Sequence, residues 1–328
     1  MGKIWGSCAA FLLLAQLSAG ELPEDFYDRI KKACVEILVD DHLDGSGWLV
    51  DSEGLVVTAA HVVPTPGKRI EVMLPPDVRV SATVVCVDRG NDAAVLRIPA
   101  RPNGYPVLKF AEKMPAAGST IYLFGAPIQR HGILLKGCVA RNDTAFEYYD
   151  SISDYVEIVH LTCANPPGTS GGPWLNERGE VVGLNSGMMR DNKAPAGIGF
   201  AIPFAPIQRL IVSGKTARTA TLGAAYEELW QQKRDFLQKF PPRTEGIVLP
   251  RLKAEGPGAR GGLKEWDVII SADDTPLRYP DTLLRIIRAK KPGDEIKLKI
   301  LAPNAEGVKE KTVRLGHLES EWANELKN

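Results

Sequence analysis

The sequence predicts an all-β domain, barrel or sandwich, followed by a small α+β module, and three observations carry that prediction. From about Cys34 to Pro203, short Val, Ile and Leu runs alternate with Gly, Pro, Asn and Asp turns, the punctuation of a barrel or sandwich. Beyond Thr216 helical and strand periods mix. The 31 Gly and 24 Pro among 328 residues supply the turns that many short strands need. A composition of 44% hydrophobic and 24% charged residues is that of a globular protein with enough apolar material for more than one core. Forty Lys plus Arg against forty Asp plus Glu leave no net charge, which argues against nucleic acid or an anionic membrane as partner.

Along the chain, Met1-Gly2-Lys3 precedes an apolar run, Ile4 to Leu17, and then the small residues Ser18, Ala19 and Gly20. This reads as a secretory signal over 1–20 cut after Gly20, so the expected location is periplasmic or secreted. The run is shorter than the roughly 20 apolar residues that span a bilayer. Glu21 to Val35 repeats Phe26, Ile30 and Cys34 every four residues and predicts a helix. Strands are expected at Trp48-Leu49-Val50, Leu55-Val56-Val57, Arg69 to Leu74, Ala82 to Val87 and Ile133 to Val139, each ended by turn residues. The first domain covers 21–215, the second 216–316, and 317–328 form a tail. In the second, Tyr226 to Phe240 carries an apolar stripe and predicts a helix stopped by Pro241-Pro242. Strands follow at Gly246 to Leu249 and Val268 to Ser271, then a helix at Asp281 to Ala289 and a strand at Glu295 to Leu301.

Once the leader is removed, Cys34, Cys86, Cys138 and Cys163 remain. An exported chain permits disulfides, and four cysteines allow three pairings. Cys86 and Cys138 lie in apolar runs, where free thiols act as small core hydrophobes. No Cys/His spacing suggests a metal, and no cofactor is expected.

Three segments carry chemistry: Thr58-Ala59-Ala60-His61-Val62-Val63, Asn91-Asp92-Ala93-Ala94-Val95-Leu96 and Gly168-Thr169-Ser170-Gly171-Gly172-Pro173. Singly, each has a bland reading as a strand end or a turn. Jointly, in the order His, Asp, Ser within an all-β segment, they supply a nucleophile, its base and the carboxylate that orients the base: Ser170, His61 and Asp92. The glycines around Ser170 let the chain turn sharply enough for the backbone N–H groups of Gly168 and Ser170, joined by that of Thr169, to converge on an oxyanion.

These segments, with Gly45-Ser46-Gly47-Trp48-Leu49-Val50, Val182-Gly183-Leu184-Asn185-Ser186 and Gly197 to Pro203, resemble the HtrA/DegP-type serine proteases, a trypsin-like family that carries C-terminal PDZ domains. The resemblance spans about residues 35 to 205. It implies two six-stranded β-barrels with the triad at their interface, unfolded protein or peptide substrates, and a homo-oligomer, with a trimer suspected and Phe26, Tyr27 and Ile30 as candidate contacts. The family usually has Asn where this chain has Thr169, and Asn-Pro-Gly where it has Asn165-Pro166-Pro167-Gly168. Digestive relatives place Asp at the Thr169 position to pair with a new N-terminus; without it, control by loop ordering is expected. The walls of the specificity pocket, Ala164 facing Asn185, Ser186, Gly187 and Met188, hold no acid for Lys or Arg, so a small aliphatic side chain is expected at the cleaved bond.

The second module resembles a PDZ domain. Thr221-Leu222-Gly223-Ala224 fits its carboxylate-binding loop, and Asp281 to Ala289 its groove helix. The resemblance implies capture of C-terminal peptides by strand addition. The function expected is thus an exported endopeptidase for unfolded or damaged proteins, acting through an acyl-enzyme on Ser170. The alternatives are a regulatory protease cutting one specific partner, and a non-catalytic chaperone or PDZ binding protein.

Overall fold

The computed structural model describes residues 22–318 except 64, 142, 192 and 193. The leader and its cut after Gly20, and the tail beyond 318, lie outside the described residues. None of the described helices is long and apolar enough to cross a membrane.

Helix α1 (Phe26–Ala33) leads into the first barrel: β1 (Cys34–Val39), β2 (His42–Leu49), β3 (Leu55–Thr58), β4 (Ile70–Leu74), β5 (Val78–Asp88) and β6 (Ala93–Arg97). These close in the order β1-β2-β3-β6-β5-β4. The second barrel is made of β7 (Thr120–Gly125), β8 (Ile133–Val139), β10 (Asp154–Thr162), β11 (Pro173–Leu175), β12 (Val181–Asp191) and β13 (Ala194–Pro203), closed by pairing β13 with β10, while β9 (Ala145–Tyr149) joins β10. Only Val159 to Thr162 of β10 pair inside the barrel; Asp154 to Ile158 pair with β9 as a two-stranded ribbon that extends beyond it. Helix α2 (Phe204–Ser213) then packs Ile207 and Leu210 against the barrels and ends at Gly214, whose φ of 59° suits a helix stop.

The expected first helix is shorter than its sequence pattern. Cys34 opens β1, and Phe26 and Ile30 are buried, with Phe26 against Tyr122 at 5.5 Å. Of the three residues named as subunit contacts, only Tyr27 keeps substantial exposure, at 38%, and its hydroxyl donates to the Gly132 carbonyl. The helix joins the two barrels from outside. The four cysteines among the described residues are free; Cys34 and Cys86 are buried, but Cys138 is partly exposed at the barrel rim beside Thr162 and is not a core residue.

The second module starts with β14 (Ala220–Thr221) and builds an antiparallel sheet from β15 (Ala224–Glu228), β16 (Ile247–Leu252), β17 (Val268–Ala272), with β18 (Thr275–Pro276) on its flank, β19 (Glu295–Leu301) and β20 (Lys309–Arg314); β21 (Gly316–His317) returns to β14. It carries the one-turn helices α3 (Arg234–Leu237) and α4 (Pro257–Arg260) and the longer α5 (Pro280–Arg288). The predicted helix from Tyr226 to Phe240 is not formed. Its first part is edge strand β15, paired with β16; a 3-10 turn at Leu229–Gln231 and α3 follow. The apolar stripe is real, but Leu229, Phe236, Leu237 and Phe240 fold over Val248, Val268 and Leu301 as a small separate core. Sheet pairing of Ala224, Ala225, Glu227 and Glu228 with β16 outweighs the local helical period.

Candidate active site

His61 lies in a 3-10 turn straight after β3, and Asp92 follows another such turn, Arg89–Asn91, straight before β6. Since β3 pairs with β6 at Thr58 and Ala94, the two turns meet at one end of the barrel. The turn before Asp92 is capped by the Asp88 side chain, which accepts from the Asn91 backbone and amide, and Asp92 itself sits at φ 44° and ψ 44°. Asp is among the few residues that adopt this left-handed conformation at modest cost. Its carboxylate is 5% exposed, and three donors reach it: the His61 backbone N–H at 3.0 Å, His61 Nδ1 at 2.8 Å and the Ser186 hydroxyl. Tyr149 in turn bonds Ser186 Oγ at 2.8 Å. A buried carboxylate met by three donors is spared the cost of lost hydration. Burial alone would push the His61 imidazole down, but the charge and hydrogen bond of Asp92 together outweigh it and hold His61 above its ordinary value.

Ser170 is on the loop between β10 and β11, and its turn is wedged against β2 and the end of β3 that leads to His61. The Ser46 N–H donates to the Ser170 carbonyl at 2.7 Å, and a Cβ on Gly171 would run into the Ser46 carbonyl, the Thr58 hydroxyl and the Ala59 nitrogen. Among the described residues no hydrogen bond joins the Ser170 hydroxyl to His61 Nε2; such bonds commonly tighten only once substrate is bound.

The loop ahead of Ser170 is held by its carbonyls. The Pro167 carbonyl accepts from Ile128 N–H at 2.7 Å, and the Thr169 carbonyl from Gly172 N–H at 3.0 Å. A trans peptide sends its N–H opposite to its carbonyl, so the amides of Gly168 and Ser170 point away from these anchors and have no acceptor among the described residues. Two free amides, two residues apart on a sharp turn, are donors of the kind that an oxyanion needs. Gly168 is at φ 95°, and a Cβ there would strike the Ala126 carbonyl, so only glycine fits. Thr169 is different from its sequence-based role. Its N–H donates to the Pro166 carbonyl at 3.2 Å, so it gives no oxyanion donor. Its buried hydroxyl donates to the same carbonyl at 2.6 Å and accepts from Asn185 at 3.0 Å, locking the turn.

The specificity walls are also redistributed. Ala164 and Met188 line a cavity of about 310 Å³ with Pro166, Pro195 and Ile198, and none of its lining residues is charged. Asn185 is buried behind it, bonded to Asn165, Trp174 and Thr169. Gly187 gives its carbonyl to Asn165, and Ser186 serves Asp92 instead of the pocket. Ser46, whose hydroxyl donates to the Gly168 carbonyl at 2.8 Å and accepts from Ala126 N–H at 3.1 Å, was not singled out from sequence; its flanking glycines, Gly45 and Gly47, were the available signal. Nothing in sequence marks Tyr149.

Residues 45–184 match the family model for a trypsin-like peptidase domain. The chain carries a trypsin-like peptidase domain and is similar to the serine proteases of the HtrA/DegP type. It is 29% identical over 263 residues, covering 78% of this chain, to a protein of Pseudomonas fulva described as a DegP-like periplasmic serine endoprotease, and 30% identical over 270 residues, covering 80% of this chain, to one so described in Rickettsia conorii. The chain spans about half the length of these relatives, 53% and 52%. Among solved structures, an HtrA-type protease, AlgW, with a tripeptide superposes with a TM-score of 0.68 at 23% identity, covering 90% of this chain and 97% of that one. The serine endoprotease from Yersinia pestis superposes with a TM-score of 0.62 at 21% identity, covering 91% of this chain and all of that one. Both share the fold.

Proposed function

We propose that this HtrA-type chain is an exported serine endopeptidase acting on unfolded or damaged protein, with Ser170 as nucleophile. The observation that carries the reading is the pairing of a fixed His61–Asp92–Ser186 relay with a neighbouring loop whose Gly168 and Ser170 amides are free. In this mechanism His61 Nε2 takes the Ser170 proton as Oγ attacks the scissile carbonyl, and the two amides receive the oxyanion. The imidazolium, steadied by Asp92, then protonates the leaving amine, and an acyl-enzyme on Ser170 remains. Water, deprotonated by the same imidazole, hydrolyses the ester and restores the hydroxyl. The uncharged cavity at Ala164 and Met188 supports a small aliphatic side chain at the cleaved bond.

The location is supported by the description of the Pseudomonas fulva relative as periplasmic and by the signal-like run Ile4 to Gly20. The second module reads as a PDZ domain, with Thr221, Leu222, Gly223 and Ala224 as carboxylate loop, β15 as receiving edge and α5 as the far wall, recognising C-termini of substrates or partners. A homo-oligomer remains part of the reading, with contacts other than Phe26 and Ile30. Casein digestion by wild type and Ser170→Ala tests the activity: digestion by wild type alone is expected, and equal turnover by both, or by neither, overturns it.

A further inference from the structure

Taking the second module as a C-terminus receptor, we infer that its groove is already filled by the chain itself: Asp154 and Tyr155, at the tip of the β9–β10 ribbon, stand in for a bound C-terminus. A peptide added to edge strand β15 would need its outward N–H and C=O. At Tyr226 both are taken by one hydroxyl: Tyr226 N–H donates to Tyr155 Oη at 2.7 Å, and Tyr155 Oη donates back to the Tyr226 carbonyl at 3.1 Å. The two rings stack at 5.2 Å. On the helix side, Asp281 of α5 accepts from Phe146 N–H at 3.1 Å, and Arg285 lies over the Phe146 ring. Phe146 and Tyr155 belong to the same continuous apolar core as Leu222, Leu283 and Ile287 of the module. At the loop end, the Asp154 carboxylate receives the Thr221 hydroxyl, which itself accepts from Gly223 N–H at 2.8 Å. Arg288 completes the site, donating to Asp154 at 3.2 Å, to the Tyr155 carbonyl at 2.6 Å and to the Ala220 carbonyl at 3.0 Å.

A carboxylate at the receptor loop, an aromatic side chain beside it and a doubly bonded strand edge reproduce the three demands that a C-terminal ligand makes of such a groove. Asp154 and Tyr155 are 4% and 6% exposed, so the stand-in is desolvated and an incoming peptide must displace it. Displacement does not require the barrel to open, because Asp154 to Ile158 pair only with β9.

The test uses the full chain and a fluorescein-labelled hexapeptide pool ending in free Ala, Val, Leu or Phe, with the amidated pool as control. Tyr155→Phe removes the hydroxyl and keeps the ring; Asp154→Asn keeps the shape and removes the charge, and serves if the first variant fails to fold. Each is expected to bind the free-carboxylate pool at least about tenfold more tightly than wild type, since each loses a stand-in contact. Tyr226 amide exchange should accelerate in Tyr155→Phe. Equal binding by wild type and variants would overturn the inference while leaving the module a receptor. Binding by none of them would remove the receptor reading itself, and the inference with it.

Discussion

At Asp92, four features converge: a left-handed backbone, a capped turn before it, burial, and donors from His61 and Ser186. Its fixed place dictates the behaviour of His61. Because only the neutral imidazole can accept the Ser170 proton, and Asp92 holds His61 above its ordinary value, kcat/KM should rise with pH through a limb higher than that of a free imidazole. Asp92→Asn should move that limb down and lower kcat by about 10⁴ with KM little changed, as loss of the orienting carboxylate does in the template mechanism. A pH profile of both proteins checks the pair of effects. Ser186→Ala should cost kcat roughly tenfold, the scale of one hydrogen bond to a charged group, and leave KM unaltered, which separates its place behind Asp92 from a role in the pocket. Sequence alone named His61, Asp92 and Ser170, since each lies in a short motif and the three motifs follow one another in the order His, Asp, Ser. It misplaced Ser186 because a motif position does not tell which way a side chain on a twisted strand points, and it missed Tyr149 because that contact joins residues 37 apart.

Among the elements, the loop from Asn165 to Ser170 is the most constrained. Its carbonyls are tied to Ile128, Ser46 and Gly172, and its only left-handed position is Gly168. Gly168→Ala should therefore reduce kcat by at least about 10²-fold, the cost of one lost oxyanion donor, because the new Cβ forces the Gly168 amide away from the Ala126 carbonyl and out of place. Kinetics combined with a thermal melt distinguish this from unfolding. The strands of the barrels were legible in the turn punctuation of the sequence. The segment after β15 was not: Leu229, Trp230, Phe236, Leu237 and Phe240 are spaced as on a helix, yet the first residues of that stretch satisfy sheet pairing with Ile247 to Leu252. A period describes which residues are apolar together; the competing strand that captures them lies about twenty residues downstream.

The whole molecule is two barrels and a module, and the joint between them includes a buried ion pair, Arg288 with Asp154. Their side chains are 15% and 6% exposed, and their partners come from both sides of the joint. Removing one member of a buried pair strands the other, so Arg288→Ala should destabilise the chain by roughly 3–5 kcal/mol. A melting curve that splits into two steps in the variant would show the joint letting go before the barrels do. The change of pattern near Thr216 is where the sequence places a boundary, whereas the joint leaves no mark in it, because Asp154 and Arg288 are unremarkable charges in sequence. The central claim is that Ser170 is an activated nucleophile, and covalent labelling by a fluorophosphonate tests it most directly. Wild type should be labelled at Ser170 close to one per chain and Ser170→Ala not at all; an unlabelled wild type, or equal labelling of both proteins, would contradict it.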